Sequence, residues 1–362
     1  MKSLFAFLMI LLPLISVGQG DFETVIENPI TSVKDQYKSG TCWNFATIGF
    51  VESEILRKTG KTYDLCEMFV ANKNYMERAV YIVRMHGHAQ FCQGGEAADV
   101  FEIIKRHGIC PEDAMPAPGS LVGDSLCNFD EFASVFKPKL QHFARGGNEN
   151  YDVDNPVYNY VRTINGWQDS IQNILDKYIG KCPTSFEYEG KTYTPNTFAA
   201  SLGLDWDNYM CITSFTHHPF YENFVIEAVH KWRSLPSYNL PLDKMMKILD
   251  TALENGFCVA WGGDVTGNFS YYGIAKLPGS PKVTQELRQK QWDNWTFTYD
   301  HVMLIYGIAK DASGKKYYMV KNSWGRNCGN NGIWYMSEDF MRLNTTYIYL
   351  CKDAINKKDL RK

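Results

Sequence analysis

Three side chains that suit nucleophilic catalysis lie far apart in this 362-residue chain. Cys42 stands in Ser-Gly-Thr-Cys-Trp, His301 follows an aspartate, and Asn322 begins Asn-Ser-Trp-Gly. A thiol attacks a carbonyl carbon well only as the thiolate, so it needs an imidazolium or a helix N-terminus nearby, and the imidazole needs a third group to hold its tautomer. Any fold in which these residues work together must join distant parts of the chain at one site.

The nucleophile is predicted to begin a helix. Apolar and small residues recur at three- and four-residue steps over 42–58, and Lys58 and Gly60 are typical of a helix end. Cys42 would then lie in the first turn, where the helix dipole favours a negative charge. Gln36 lies six residues earlier, and its amide can complete an oxyanion hole with the backbone N–H of Cys42.

The second half of the chain is predicted to present its histidine and asparagine from a β-sheet. His301 begins one predicted strand and Asn322 ends the next, with a turn at 311–314 between them. A hairpin brings both side chains to the same end of a sheet. The patterns predict helices over 65–84, 97–107 and 242–256, and strands over 258–261, 301–308, 316–321 and 332–336.

The segment around Cys42 resembles the papain-like cysteine peptidases, whose signature is C-G-[SA]-C-[WY]. The chain matches it at Gly40, Cys42 and Trp43 and departs from it at Ser39, where a serine is more similar to the branch of bleomycin hydrolase and aminopeptidase C. The similarity to that branch extends over about residues 30–352. It includes Leu65-Cys66-Glu67-Met68-Phe69, Gly94-Gly95, Thr216-His217-His218-Pro219, Asn239-Leu240-Pro241-Leu242, Trp261-Gly262-Gly263-Asp264-Val265 and Asn322-Ser323-Trp324-Gly325.

The resemblance implies an α+β fold with two papain-like lobes and a cleft between them. Cys42, His301 and Asn322 would be the catalytic residues. Gln36 and the backbone of Cys42 would form the oxyanion hole. The chemistry would be acyl transfer through a thioacyl-enzyme, without a metal or cofactor.

The resemblance also implies supporting roles around the cleft. The Gly94-Gly95 edge would pair with the extended backbone of a peptide substrate, although a tight turn alone would also explain two glycines. Trp324 would cover the histidine–asparagine contact from water. Asp300 would tune the charge of the site, and a surface carboxylate is the alternative.

The spacing between the nucleophile and the histidine predicts a large insertion. Cys42 and His301 are 259 residues apart, against about 130–150 in ordinary papain-like chains. Residues 130–245 are mostly helical in pattern, with helices predicted at Val157–Tyr178 and Tyr221–Leu235, and residues 112–130 are predicted to form a loop. The predicted organisation is a signal peptide at 1–18, a helical lobe carrying the nucleophile at 19–135, a mostly helical insertion at 136–245, and a β-rich lobe carrying the histidine and asparagine at 246–362.

The first residues have the composition of a secretory signal. Lys2 precedes the apolar run 4–15, and the small residues 16–18 precede Gln19, the expected first residue of the mature chain. We therefore expect export to a periplasm or outside the cell and no stable membrane span; an uncleaved anchor is the alternative. The net charge of −3 and the lack of a basic run argue against a nucleic-acid partner.

Export would place ten cysteines in a compartment that permits disulfides. If Cys42 is the free nucleophile, nine remain, so at least one more is unpaired or pairs between chains. Cys66, Cys92, Cys110 and Cys127 are expected to pair first. The alternative is that most are buried thiols that pack as small apolar groups.

The expected function is that of an exported cysteine-type peptidase. The resemblance favours an aminopeptidase, in which the terminal carboxylate of the chain meets the substrate amine, and a homo-oligomer, commonly a hexamer. A papain-like endopeptidase is the main alternative. A catalytically silent binding protein and a transglutaminase-like acyltransferase remain open, although Gln36 and the Asn-Ser-Trp-Gly motif favour the peptidase.

Overall fold

The computed structural model describes residues 22–115, 121–122, 126–146 and 156–362. The predicted signal peptide lies outside the described residues. Among the residues that are described, none of the helices combines the length and apolar character that crossing a bilayer requires. Helices and strands are both abundant, which confirms the α+β class.

The helices include those predicted around the nucleophile. The first ends as predicted, because Gly60 adopts a left-handed conformation with φ of 70° and donates its N–H to the carbonyl of Leu56. The helices of the described residues are α1 (Cys42–Thr59), α2 (Glu67–Arg84), α3 (Ala97–His107), α4 (Asp130–Ala144), α5 (Pro156–Tyr178), α6 (Pro195–Ser201), α7 (Leu242–Glu254), α8 (Gln285–Asp293) and α9 (Glu338–Asn344).

The strands are mostly in one eleven-stranded sheet. The strands of the described residues are β1 (Phe22–Glu27), β2 (Leu121–Val122), β3 (Leu126–Cys127), β4 (Phe186–Tyr188), β5 (Lys191–Tyr193), β6 (Tyr209–Thr213), β7 (Asn223–Phe224), β8 (Ser237–Asn239), β9 (Val259–Gly263), β10 (Phe269–Ser270), β11 (Ile274–Ala275), β12 (His301–Asp311), β13 (Lys316–Lys321), β14 (Ile333–Ser337) and β15 (Thr345–Cys351). The large sheet has the order β10-β11-β14-β13-β12-β9-β15-β6-β8-β7, with β1 paired to β12.

The nucleophile helix packs against the centre of this sheet. Gly49 of α1 lies so close to β12 and β13 that a Cβ atom there would be 2.9 Å from Nζ of Lys321 and 3.8 Å from a methyl group of Leu304. On its other side α1 packs with α2 and α3, and α2 packs with α4 and α5. The first turn of α1 therefore lies where the helices meet the sheet.

The insertion is less helical than the sequence predicts. Residues 221–235 form β7 and a series of turns before β8, so the helix predicted there is wrong. Lys231 and Arg233 turn toward the buried carboxylates of Glu96 and Asp99, and these ion pairs outweigh a helical periodicity that is only a weak preference. Strands β6, β7 and β8 belong to the main sheet, so residues 209–239 are not a helical unit; the boundaries of the lobes remain a prediction.

The prediction of disulfides is also not supported. All ten cysteines are free thiols, including Cys66, Cys92, Cys110 and Cys127. The backbone N–H of Cys66 donates to the carbonyl of Cys110 at 3.0 Å, while Cys92 accepts a hydrogen bond from Arg78 at 2.9 Å. Most of the ten are buried and pack as small apolar groups, which was the alternative expectation.

The C-terminal residues are fastened to α7 and β8. Lys247 of α7 pairs with Asp359 at 2.7 Å, and Tyr238 of β8 donates to the carbonyl of Leu360 at 2.8 Å. Lys244 donates to the carbonyl of Arg361 at 2.5 Å. The tail is thus held by these elements, and the expectation that its carboxylate meets the substrate amine stays a prediction.

Candidate active site

His301 and Asn322 are in direct contact. The hairpin of β12 and β13 brings the first residue of one strand beside the residue that follows the other, and His301 Nε2 lies 2.8 Å from Asn322 Oδ1. Because Oδ1 also accepts the backbone N–H of Ser323 at 2.8 Å, it is the amide oxygen, and the imidazole nitrogen must be the donor. The Nδ1 atom is then left as a proton acceptor.

Cys42 is the first residue of α1 and lies beside the start of β12. The backbone N–H groups of Val302 and Trp43 are near enough to its sulfur to favour the thiolate. Burial raises the pKa of Cys42 to about 11, and these N–H groups act in the opposite direction. Burial likewise lowers the pKa of His301 to about 4, opposed by the hydrogen bond to Asn322. Burial thus disfavours an isolated charge on either group, whereas proton transfer from thiol to imidazole creates two opposite charges that stabilise each other.

Gln36 is held in a fixed orientation near the first turn of α1. Its Oε1 accepts from the hydroxyl of Ser323 at 2.6 Å, and its Nε2 donates to the carbonyl of Ser39 at 2.7 Å. An amide nitrogen carries two hydrogens, so one N–H remains for a ligand. The backbone N–H of Cys42 belongs to the first turn of α1, where N–H groups have no acceptor within the helix.

The serine that replaces the first cysteine of the papain signature has a polar role of its own. The hydroxyl of Ser39 donates to the carbonyl of Gln36 at 2.7 Å and contacts the hydroxyl of Thr41 at 2.5 Å. These contacts close the turn that leads into α1. The hydrogen bonds of Ser39 therefore fix the loop of residues 36–41, which lies directly before the nucleophile.

Trp324 and Asp300 both flank the histidine–asparagine pair. The Trp324 ring lies 4.9 Å from the imidazole of His301, measured between centroids, and meets Trp334 edge-on at 5.6 Å. Asp300 accepts the backbone N–H of Val265 at 3.0 Å. Its negative charge contributes to the raised pKa of the Cys42 thiol, so in this site it opposes thiolate formation.

The glycine edge is close to the nucleophile but covered. The indole N–H of Trp43 donates to the carbonyl before Gly94, and a Cβ atom on Gly95 would lie 2.8 Å from the same ring. A Cβ on Gly94 would lie 2.5 Å from Cε1 of His230. The carbonyl of Gly95 accepts from the hydroxyl of Tyr299 at 2.7 Å. The structure therefore places two side chains on an edge that the resemblance assigned to substrate.

Several of these neighbours were not predicted from the sequence. Ser323 was available as the second residue of the Asn-Ser-Trp-Gly motif, but nothing in the motif indicated its contact with Gln36. Tyr299 lies two residues before His301, a position that alternation along an extended segment places on the same side. His230 gave no signal, because the segment around it was predicted to be a helix.

One cluster has the composition of a metal site. The ligand atoms of His217, His218 and Glu227 lie within 4.8 Å of one another. However, Gln289 accepts the backbone N–H of Thr216 through Oε1 and presents Nε2 to His217 Nδ1 at 2.9 Å. Nδ1 is then the acceptor, and Nε2 carries the proton that is donated to Glu227 at 3.0 Å. The donor set therefore fits a hydrogen-bonded cluster better than a metal centre.

Several known peptidases are similar to this chain over most of its length. A cysteine proteinase 1, mitochondrial, from Saccharomyces cerevisiae strain JAY291 is 23% identical over 88% of this chain and 74% of its own length. Aminopeptidase G of Lactobacillus delbrueckii subsp. lactis is 21% identical over 93% and 83%, and aminopeptidase C of Lactococcus lactis subsp. cremoris is 22% identical over 92% and 83%.

The fold has a solved counterpart. The crystal structure of PepW from Lactobacillus rhamnosis HN001 superposes with a TM-score of 0.73 at 19% identity, covering 93% of this chain and 83% of that one. The resemblance to papain-like peptidases of the bleomycin hydrolase and aminopeptidase C branch is confirmed. The family model described as Peptidase C1-like matches residues 17–362, so the chain belongs to that family and is a cysteine-type peptidase.

Proposed function

We propose that this peptidase is an aminopeptidase that uses Cys42, His301 and Asn322 as its catalytic residues. The observation that carries the catalytic assignment is the 2.8 Å contact between His301 Nε2 and Asn322 Oδ1, which leaves Nδ1 to take the thiol proton. The position of Cys42 at the N-terminus of α1 supports the thiolate through the helix dipole.

The proposed reaction begins with proton transfer from Cys42 Sγ to His301 Nδ1. The sulfur attacks the carbonyl carbon of the substrate, and the oxyanion that forms accepts hydrogen bonds from the backbone N–H of Cys42 and the free N–H of Gln36. His301 returns its proton to the nitrogen of the scissile bond, so the amine leaves and a thioester remains. A water molecule, deprotonated by His301, then attacks the thioester, releasing the acid and restoring the thiol.

Asn322 and Trp324 support this cycle without touching the reacting atoms. The amide oxygen of Asn322 keeps the imidazole in the Nε2–H tautomer through both proton transfers. The indole of Trp324 covers one side of the ring and reduces competition from water for that hydrogen bond.

Removal of residues from a free N-terminus is the proposed specificity. The observation that supports it is the covered glycine edge, where His230 lies against Gly94 and Tyr299 occupies the carbonyl of Gly95. A long peptide cannot pair with that edge while these side chains are in place. The relatives named aminopeptidase C and aminopeptidase G agree with an exopeptidase.

Digestion of a mixed peptide library by the purified protein tests the proposal. Mass spectrometry should show a series of products that lose residues one by one from the amino end. The Cys42→Ala variant should have a kcat lower by several orders of magnitude, because catalytic residues act as a unit. Products that begin at internal bonds would indicate an endopeptidase. Full activity of the alanine variant would remove Cys42 from the mechanism.

Export and self-association are further parts of the proposal. The composition of residues 1–18 supports cleavage before Gln19 and delivery outside the cytoplasm. Amino-terminal sequencing of the protein secreted by its own host would test this, and a retained Met1 would contradict it. We also propose a homo-oligomer, which the resemblance to the bleomycin hydrolase branch implies and which sedimentation analysis would test.

A further inference from the structure

A short segment of the insertion, residues 226–235, brings His230 against Gly94 and Tyr299, and we name it the cleft segment. We infer that the cleft segment, through His230, stops the substrate chain on the amino-terminal side of the scissile bond and so determines that only a free N-terminus is attacked. This inference rests on the proposed aminopeptidase function and assigns the structural element that restricts the cleft.

The position of His230 carries the inference. Its ring lies against Gly94 on one wall, where an added Cβ would be 2.5 Å from Cε1 and 2.6 Å from Nδ1. Its centroid is 5.2 Å from the ring of Tyr299 on the other wall, two residues before His301. Together the two rings extend from the helical lobe to the start of β12. A peptide bound at Cys42 therefore meets a wall of side chains before it can pass Gly94.

His230 presents an uncharged ring in this wall. Burial, and to a lesser extent the charge of Arg78, lower the pKa of His230 to about 4, so the imidazole is neutral at pH 7. Its Nδ1 lies 3.4 Å from Cys92 Sγ, and the guanidinium of Arg78 is engaged by Cys92 and by the carbonyl of Gly94. The neutral ring adds no positive charge to that of Arg78, and its bulk against Gly94 opposes the extra acetyl group of a blocked N-terminus.

Buried ion pairs anchor the cleft segment so that a substrate cannot displace it easily. Lys231 pairs with Glu96, and the two side chains are 3% and 1% exposed. Arg233 donates from Nε to Asp99 at 2.8 Å and from NH2 to Asn74 at 2.8 Å. Breaking such a pair leaves an uncompensated buried charge, at a cost of about 3–5 kcal/mol. The wall is thus fixed to α2 and α3, the helices that flank the glycine edge.

The contacts of the C-terminal tail are with other elements than the cleft segment. Its contacts are with Tyr238, Lys244 and Lys247, on β8 and α7. Within the described residues, the side chains that lie against Gly94 and Gly95 include His230 of the cleft segment and Tyr299.

A comparison of free and N-acetylated copies of the same peptides tests the inference. The intact enzyme should cleave the free peptides at least about a hundredfold faster, and His230→Gly should raise cleavage of the acetylated copies by about tenfold or more, since removing a steric block changes the relative kcat/KM of the two substrates. The matched control is His88→Gly, which removes an exposed histidine after α2. Neither that control nor deletion of residues 357–362 should change the preference.

A second variant covers the case in which His230→Gly does not fold. Tyr299→Phe keeps the ring but frees the carbonyl of Gly95, and it should increase cleavage of acetylated peptides by a smaller factor. If both variants stay as strict as the intact enzyme, or if the tail deletion alone relaxes the preference, the inference is wrong and the aminopeptidase stands. If the intact enzyme cleaves free and acetylated peptides equally, the proposed function itself is wrong.

Discussion

The hydroxyl of Ser323 donates a 2.6 Å hydrogen bond to Oε1 of Gln36, and the backbone N–H of Gln36 donates in return to the carbonyl of Ser323 at 2.8 Å. These two bonds join the loop that carries Asn322 to the loop that leads into α1. The side-chain amide of Asn322, which orients the imidazole, and that of Gln36, which is proposed to bind the oxyanion, are consequently positioned by the same two hydrogen bonds. The two amides lie in separate sequence motifs, but in the structure the position of one depends on the position of the other.

Ser323→Ala should therefore lower kcat while changing KM little, because it releases the amide of Gln36 without removing it. One neutral hydrogen bond contributes about 0.5–1.5 kcal/mol, which corresponds to a loss of roughly two- to tenfold. Gln36→Ala should cost roughly 10²–10³ in kcat, the usual loss for one oxyanion donor. Steady-state kinetics on a free peptide would measure both.

The double variant supplies the control for this coupling. If Ser323 acts through Gln36, the combination of both alanines should be no slower than Gln36→Ala alone. Ser32→Ala, at an exposed serine on the same approach to α1, should have no effect. Additive losses in the double variant would show that Ser323 acts independently of Gln36.

The parts of the site that were predicted depend on local sequence patterns. Helix periodicity placed Cys42 at a helix start, and strand signals on both sides of a turn placed His301 beside Asn322. The path of residues 221–235 could not be predicted in this way. It depends on contacts such as Arg233 with Asp99, which are 134 residues apart, and a local pattern carries no information about a buried carboxylate elsewhere in the chain.

Gly49→Ala should destabilise the protein, in contrast to the same change at Gly166. A Cβ on Gly49 would meet Nζ of Lys321 at 2.9 Å, and this buried ammonium is held by the carbonyls of Thr31 and Ser32. Overpacking costs about 1–3 kcal/mol, of which the helix propensity of alanine recovers up to about 1 kcal/mol. Gly166, inside α5, has no neighbour within 4 Å of an added Cβ, so alanine there should stabilise by up to about 1 kcal/mol through helix propensity. Urea unfolding would measure both variants. Equal effects would show that the α1–β13 contact is not tight.

Lys231→Met should be among the most destabilising single changes in the cleft segment. It leaves the carboxylate of Glu96 buried without its cation, and burial already raises the pKa of Glu96 to about 7 against the opposing charge of Lys231. We expect a loss of about 3–5 kcal/mol in the free energy of unfolding at pH 8. At that pH the carboxyl of Glu96 is mostly ionised in the intact protein, so the variant loses the full ion pair. Lys231→Met combined with Glu96→Gln should recover most of it. A single variant as stable as the double would contradict the pairing.

His230→Gln should make stability less sensitive to acid. The pKa of His230 is lowered to about 4 in the folded protein, by burial and by Arg78, against an ordinary value of 6.5, so the unfolded chain binds the proton first as the pH falls. The stability that the neutral ring contributes is therefore complete above pH 6.5 and is lost progressively toward pH 4. Linkage gives a loss of about 2 kcal/mol between pH 8 and pH 5 for this one group. Urea unfolding of the intact protein and the variant at both pH values would measure it. The free energy of unfolding of the intact protein minus that of the variant should be smaller at pH 5 than at pH 8 by that amount. If this difference is the same at both pH values, His230 titrates normally and is not enclosed between Gly94 and Tyr299.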